Sequence, residues 1–296
     1  MRAAGRVVGI FGPTASGKSA VAEALAELVP AELISADAMQ VYAGVPILTN
    51  QSPARLVGIW PLDHEASVGE YAVLAQAAID ETLATGRTAI IVGGTGLYFR
   101  AALAELELPP APDPALRERL SREYDELGPE QAHALLAERD PRAAARVHPN
   151  DRRRIVRALE LAELGRSLVP DDDRLWGGPT RHPSLLLGLD LPREVIAARI
   201  EARTRAMFDA GVEAEVSAAL AQPLSSTAEK ILGLRAVAEL PRDEAIAAIA
   251  QSTRRYAAYQ RKWMRRIPGL EHLDGTRPAA ELAAAIAAQL TAEPRE

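Results

Sequence analysis

The run Gly12-Pro13-Thr14-Ala15-Ser16-Gly17-Lys18-Ser19 has the form G-x-x-x-x-G-K-[ST], a spacing that curls a chain around phosphate oxygens. Successive backbone N–H groups and the first turn of the following helix surround the anion. Lys18 adds a point charge, and the Ser19 hydroxyl can face a magnesium ion. The flanks are what such a loop requires: Arg6 to Phe11 reads as a short buried strand, and Lys18 to Leu28 carries apolar residues at helical spacing. A phosphate-bearing ligand is the expected cargo.

Asp37 follows a second strand, Leu33 to Ala36, and so lies at the carboxyl end of a strand, where doubly wound sheets bind ligands. It suits a magnesium ligand, a general base or a helix cap, and spacing alone does not choose among them. Gly93-Gly94-Thr95-Gly96-Leu97-Tyr98 is a second glycine-rich turn after the β-branched run Thr88 to Val92, offering backbone donors and the Thr95 hydroxyl at the same sheet edge.

Ser252 to Arg266 holds six cations and no acidic residue. On a helix, Tyr256, Tyr259 and Trp263 share one stripe, with Arg254, Arg261, Arg265 and Arg255, Lys262, Arg266 on flanking ridges. The pattern suits a nucleic-acid face, although the aromatics would serve equally as core. Arg152, Arg153, Arg154 and Arg157 form a second cluster, either a basic patch or a solvated face paired with Glu160 and Glu163. Arg199 and Arg203 stand one helical turn apart, as two anion ligands would, or as two surface residues.

The elements that position these residues alternate strand and helix. Tyr71 to Leu83 is amphipathic and stops at Gly86, and Thr88 to Val92 follows as a strand. The order predicts an α/β fold, a P-loop NTPase-like parallel sheet flanked by helices. Prolines from Pro109 to Pro114 break the pattern, and the segment up to the loop Pro170 to Pro183 is helical by period. We read residues 111–181 as an inserted all-helical domain and residues 1–110 with 182–296 as the core. Ser184 to Leu191 returns to strand character, and Glu194 to Leu220, Ala228 to Leu240 and Asp243 to Arg266 read as helices, so that the core is expected to close with helices.

Composition sets bounds. In 296 residues, 48% hydrophobic content supports a buried core without staples. The absence of cysteine excludes disulfides, thiolate zinc sites and cysteine nucleophiles. No apolar run reaches the ~18 residues of a membrane helix, and Met1 to Phe11 lacks the features of a secretion signal. A cytoplasmic monomer is the expectation. The net charge of -6 excludes a general polycation, so RNA binding would rest on local patches. Of 34 basic residues only Lys18, Lys230 and Lys262 are lysines.

Along nearly its full length the chain resembles the tRNA dimethylallyltransferases, or tRNA isopentenyltransferases. The resemblance rests on Gly12 to Ser19, Ile34-Ser-Ala-Asp-Ala-Met-Gln-Val-Tyr42, Val92-Gly-Gly-Thr-Gly-Leu-Tyr98, His148-Pro-Asn-Asp-Arg152 with Arg157-Ala-Leu-Glu160, and Thr253-Arg-Arg-Tyr256 with Gln260 and Trp263. It implies transfer of a dimethylallyl group from its pyrophosphate to the exocyclic amine of the adenosine 3′ of certain tRNA anticodons. The P-loop would hold the pyrophosphate with magnesium bound at Ser19, Asp37 would take the amine proton, and Thr95 would support the reacting site. Arg203, in an Arg-x-x-x-Met pattern with Met207, would contact the pyrophosphate. Contacts to the tRNA anticodon stem-loop would come from Asp37, Ala38, Met39, Gln40, Thr95, Arg117, Arg153, Arg154, Arg157, Lys230, Arg235, Tyr259, Gln260, Arg261, Lys262, Trp263 and Arg265.

The chain departs from the family pattern in places. Ala38 replaces a serine, Leu48-Thr-Asn-Gln51 replaces Gly-Thr-Ala-Lys, and a histidine pair is missing near Ile59-Trp60-Pro61. Gly-Leu precedes Arg235 where the family has Gly-Tyr. Two other functions fit parts of the sequence: a P-loop kinase of a small metabolite, with the helical insert as a lid, and a noncatalytic tRNA-binding relative.

Overall fold

The structure, a computed structural model, describes residues 6–106, 108–110, 113–169 and 178–291. Residues 170–177 of the expected loop and part of the proline cluster lie outside them. The chain forms two compact units, Met1–Glu105 with Leu175–Glu296, and Leu106–Arg174.

The first unit is built on five parallel strands: β1 (Val7–Phe11), β2 (Ala31–Ser35), β3 (Thr88–Gly93), β4 (Ser184–Asp190) and β5 (Leu270–Asp274), in the order β2-β3-β1-β4-β5. The central strand β1 pairs on both edges, Val8 opposite Ile90 on one side and Leu185 on the other. Alternation splits its side chains between two cores. Val7 and Phe11 face one, and Val8 and Ile10 the other. Both faces of β1 are therefore apolar, as a parallel sheet covered on two sides demands.

Helices α1 (Lys18–Leu28) and α12 (Ala279–Thr291) pack together on the Val8 and Ile10 face. Helices α2 (Val68–Ala84) and α3 (Gly96–Leu103) cover the other. Ser67 caps the start of α2, its Oγ accepting from the Glu70 N–H and donating to the Glu70 carboxylate. Gly86 ends it in a left-handed turn at φ 76°.

Three sequence expectations are corrected. The core does not close with helices alone: β5, Leu-Glu-His-Leu-Asp, adds an edge strand beside β4 between the last two helices. Its charged, half-exposed residues hide the strand pattern while suiting an edge. Glu194 to Leu220 is two helices, α8 (Arg193–Asp209) and α9 (Val212–Leu220), because Gly211 turns the chain at φ 91°. Ala228 to Leu240 is a 3₁₀ turn (Ala228–Lys230) and a short helix α10 (Leu234–Glu239), divided by Gly233 at φ 95°. Helix α11 (Arg242–Met264) follows and packs on α8.

The second unit contains α4 (Pro114–Leu127), α5 (Pro129–Arg139), α6 (Pro141–Ala144) and α7 (Arg152–Glu163) around Leu120, Leu136, Ile155 and Leu159. Glu160, 1% exposed, lies among these apolar side chains. Its carboxylate accepts a fork from Arg117 at 2.7 and 3.0 Å and a third bond from Arg157 at 2.8 Å. Burying the charge is tolerable only because it is so fully paired.

Two stability outcomes follow. Gly93→Ala places a Cβ against the Ala36 backbone carbonyl, where neither chain can yield, and should cost about 1–3 kcal/mol in urea unfolding; wild-type stability would show that β2 and β3 ends do not approach so closely. Arg117→Met should cost roughly 1–2 kcal/mol, because it strips a charged fork from a buried carboxylate. An unchanged unfolding midpoint would remove Arg117 from the clamp.

Candidate active site

The loop after β1 leaves the sheet at Gly12, whose N–H donates to the Gly93 carbonyl at 3.3 Å, so the two glycine-rich turns start side by side. A Cβ on Gly12 would stand 2.6 Å from Ser16 Oγ. Ala15 and Gly17 take left-handed conformations at φ 63° and 94°, curling the loop so that α1 begins with no side-chain cap and no acid in its first turn. Its first N–H groups are left to a ligand. Ser16 Oγ is buried without a partner, and Arg199 donates to the Ser16 carbonyl at 3.2 Å, bracing the loop from behind.

Arg199 and Arg203 thus do different work although one turn apart. Arg203 lines a cleft together with Thr14 and Asp37, and its buried Nε has no partner. Burial pushes its guanidinium pKa down, partly offset by Asp37. Desolvation first lowers the Lys18 amine to about 8, with Asp37 raising it and Arg203 lowering it further. Its ammonium is therefore half lost at about pH 8. Two half-buried cations act on one carboxylate, and the surplus positive charge suits an anion.

The carboxylate is fixed by its own backbone. Asp37 Oδ1 accepts the Met39 N–H at 3.0 Å, and the Ala38 N–H donates to Thr95 Oγ1 at 3.1 Å. Thr95 and Tyr256 share a hydroxyl hydrogen bond of 3.2 Å, which brings α11 to the same point. Burial first, then Asp37, raises the Tyr256 hydroxyl pKa well above its usual range, so it stays protonated. The remaining lining mixes the apolar Met39, Leu48, Met207, Leu232 and Ile249 with Thr49, Asn50, Thr204 and Thr253. Glu215 of α9 holds that lining by accepting the Ile47 and Leu48 N–H groups, each at 2.8 Å.

Gln260 joins the two turns. Its Oε1 accepts the Thr14 N–H at 2.7 Å and its Nε2 donates to the Gly94 carbonyl at 2.9 Å. Trp263, one turn on, lies over Gly96, where a Cβ would overlap the indole. Gly94 and Gly96 are small so that α11 can close on the turn.

Of the residues expected at the site, Thr14, Asp37, Arg203 and Met207 line this cleft, and Thr95 bonds to Tyr256 in its lining. The RNA candidates divide. Tyr259 is 54% exposed, and Lys262, Arg265, Lys230, Arg153 and Arg154 are also exposed. Arg235 is exposed but paired with Glu229 and Glu239, and Arg154 with Asp151. Others are committed elsewhere. Gln260 is buried, Arg261 donates to the Leu191 carbonyl and pairs with Asp190 at 3.0 Å, and Trp263 packs against the core. Arg117 and Arg157 hold Glu160. Gln40 spans Ser35 and Asn50, accepting from the first hydroxyl at 2.9 Å and donating to the second carbonyl at 2.8 Å. The aromatic stripe accordingly splits, with Tyr256 at the cleft, Tyr259 outside and Trp263 in the core.

Sequence reasoning missed Glu215 and gave Tyr256 no place at the reacting centre. A lone glutamate on a surface helix carries no local signal; only the packing of α9 on the Val45–Gln51 turn gives it a role. Tyr256 was visible as an aromatic at the correct spacing, and the neighbouring Thr95 turn was the clue to its direction.

A family model described as IPP transferase matches residues 40–267. The tRNA dimethylallyltransferase of Salinispora arenicola is 42% identical over 287 residues, covering 92% of this chain and 83% of that protein. The tRNA isopentenylpyrophosphate transferase of Bacillus halodurans has a solved structure that superposes with a TM-score of 0.68 at 29% identity, covering 96% of each chain. A eukaryotic dimethylallyltransferase solved acting on tRNA shares the fold, with a TM-score of 0.71 at 22% identity over 92% of this chain and 74% of that one. The chain belongs to the IPP transferase family, whose curated members matched here are tRNA dimethylallyltransferases.

Proposed function

We propose that this enzyme transfers the dimethylallyl group of dimethylallyl pyrophosphate to the N6 amine of the adenosine adjacent, on the 3′ side, to the anticodon of certain tRNAs. One observation carries the proposal: a single cleft is lined by Thr14 of the phosphate loop, the cation Arg203, the carboxylate Asp37 and the apolar Leu48, Met207 and Ile249, with Lys18 at the uncapped start of α1 close enough to act on Asp37 and Arg203. The cations suit the pyrophosphate, the apolar side chains a five-carbon tail, and the carboxylate is an acceptor for one proton.

In this reaction the adenine nitrogen attacks the allylic carbon, the carbon–oxygen bond breaks, and pyrophosphate leaves with the electron pair. Lys18, Arg203 and the N–H groups of α1 stabilise the charge growing on the leaving group. Asp37 accepts the proton from the amine, whose lone pair is otherwise conjugated into the ring. A positioned base contributes about 10² to 10⁴ in rate. Thr95 and Tyr256 hold the Asp37 segment and keep their own protons.

Among the described residues no cluster of three His, Cys, Asp or Glu could hold a metal alone. A magnesium ion fits here only as an ion held chiefly by phosphate oxygens and water, with Ser19 as the protein ligand. When bound it would neutralise part of the pyrophosphate charge.

The exposed Arg254, Arg255, Tyr259, Lys262 and Arg265 give α11 an outer face for tRNA, and Lys230 and Arg235 extend it within the same unit. The target adenosine would leave its stack to enter the cleft. No helix among the described residues is long and apolar enough to cross a membrane, which agrees with action in the cytoplasm.

Incubation with unmodified tRNA and dimethylallyl pyrophosphate, followed by digestion and mass spectrometry, should give prenylated adenosine; a folded sample that yields none refutes the reading. Asp37→Asn should lower kcat by roughly 10² to 10⁴ while leaving tRNA affinity nearly unchanged. Wild-type turnover in that variant removes Asp37 as the base. Affinity for tRNA should fall steeply with salt, because phosphate contacts release counterions, and a flat dependence would contradict the α11 face.

A further inference from the structure

We infer that Gln260 is a positioning residue for the pyrophosphate cradle, and not a tRNA contact as its place on the basic helix suggests. The inference rests on the reading of the P-loop as a pyrophosphate site. Gln260 is 1% exposed, although Tyr259 and Lys262 beside it face solvent. Both ends of its amide are used: the oxygen accepts from Thr14 and the nitrogen donates to Gly94. A neutral amide is the side chain that can accept and donate at once across such a gap. Gly94 has room for nothing larger than hydrogen, since a Cβ there would overlap the Gln260 amide.

The consequence lies in the loop. Thr14 stands just before the two residues that curl the loop, the left-handed Ala15 and Gly17. Ser16 donates its N–H to the Pro13 carbonyl at 3.1 Å, so the turn is tight but held internally by little else. The Gln260 bond fixes its outer end to the β3 turn, and the Arg199 bond fixes Ser16. With Thr14 pinned, the unpartnered Ser16 hydroxyl and the N–H groups of α1 keep a common centre. Without it, the loop keeps its sequence and its cations but loses the anchor that aims them.

Gln260 thereby ties the helix whose outer face carries Tyr259 and Lys262 directly to the donor cradle. A tRNA contact at residue 260 and an anchor at residue 260 make opposite predictions. Removal of a contact weakens tRNA binding; removal of the anchor weakens pyrophosphate binding.

The test uses the full chain and titrates inorganic pyrophosphate calorimetrically, with tRNA affinity measured in parallel. Gln260→Met, close in volume but without the amide, should bind pyrophosphate about tenfold more weakly, the loss of one hydrogen bond's worth of alignment, with tRNA affinity retained. Gln260→Glu should recover most of that loss. A buried carboxyl is pushed toward its neutral form, in which the carbonyl accepts from Thr14 and the hydroxyl donates to Gly94. Lys262→Ala should do the converse, weakening tRNA and sparing pyrophosphate. The inference is overturned if Gln260→Met binds pyrophosphate as the wild type does, if it loses tRNA affinity instead, or if Gln260→Glu is as weak as Gln260→Met. Because the pyrophosphate titration needs no turnover, failure of prenyl transfer in the wild type would count against the proposed function and be seen separately.

Discussion

The carboxyl ends of β1 and β3 must approach closely enough for Gly12 to bond Gly93, and everything at the site depends on that approach. Side chains would prevent it. Gly93 faces the Ala36 carbonyl, Gly94 the Gln260 amide and Gly96 the Trp263 indole, so three glycines admit three neighbours from two elements. The β2 end brings Asp37, and α11 brings Tyr256, Gln260 and Trp263. The phosphate loop is thus one wall of a space whose other walls are held by the second glycine turn.

Electrostatics gives that space its direction. Lys18 and Arg203 are both depressed by burial, and Asp37 alone offsets them. Such an arrangement is costly while empty and is relieved by a polyanion. The same cleft presents the apolar Leu48, Met207 and Ile249, so a ligand with an anionic head and a hydrocarbon tail satisfies both. Phosphate then serves as leaving group, and the group transferred is the carbon tail.

Much of this was legible in the sequence, for physical reasons. The P-loop, Asp37 and the Thr95 turn were readable because each follows a strand that fixes where it lies; Arg203 and Met207 came from the family resemblance, since helical spacing alone left a surface reading open. The parallel sheet was readable from the alternation of elements. Strand β5 was not, because an edge strand of Leu-Glu-His-Leu-Asp carries too little apolar signal. The break at Gly211 was hidden by helical periodicity on both sides. Burial was also out of reach: the charges of Arg117, Arg157 and Arg261 look alike in sequence to those of Lys262 and Arg265, and only packing shows that the first three hold Glu160, Leu191 and Asp190. Gln260 entered only through the family resemblance, because nothing in its spacing on the basic helix shows that its amide turns inward to Thr14 and Gly94.

The central claim is that carbon–oxygen and not phosphorus–oxygen cleavage occurs at this P-loop. It is tested most directly by turnover of dimethylallyl pyrophosphate carrying oxygen-18 in the bridge between carbon and phosphorus, with tRNA as acceptor. The account predicts that all of the label leaves in the pyrophosphate and that the tRNA gains an unlabelled five-carbon group. Label retained on the carbon fragment, or phosphate found on the RNA, would contradict it.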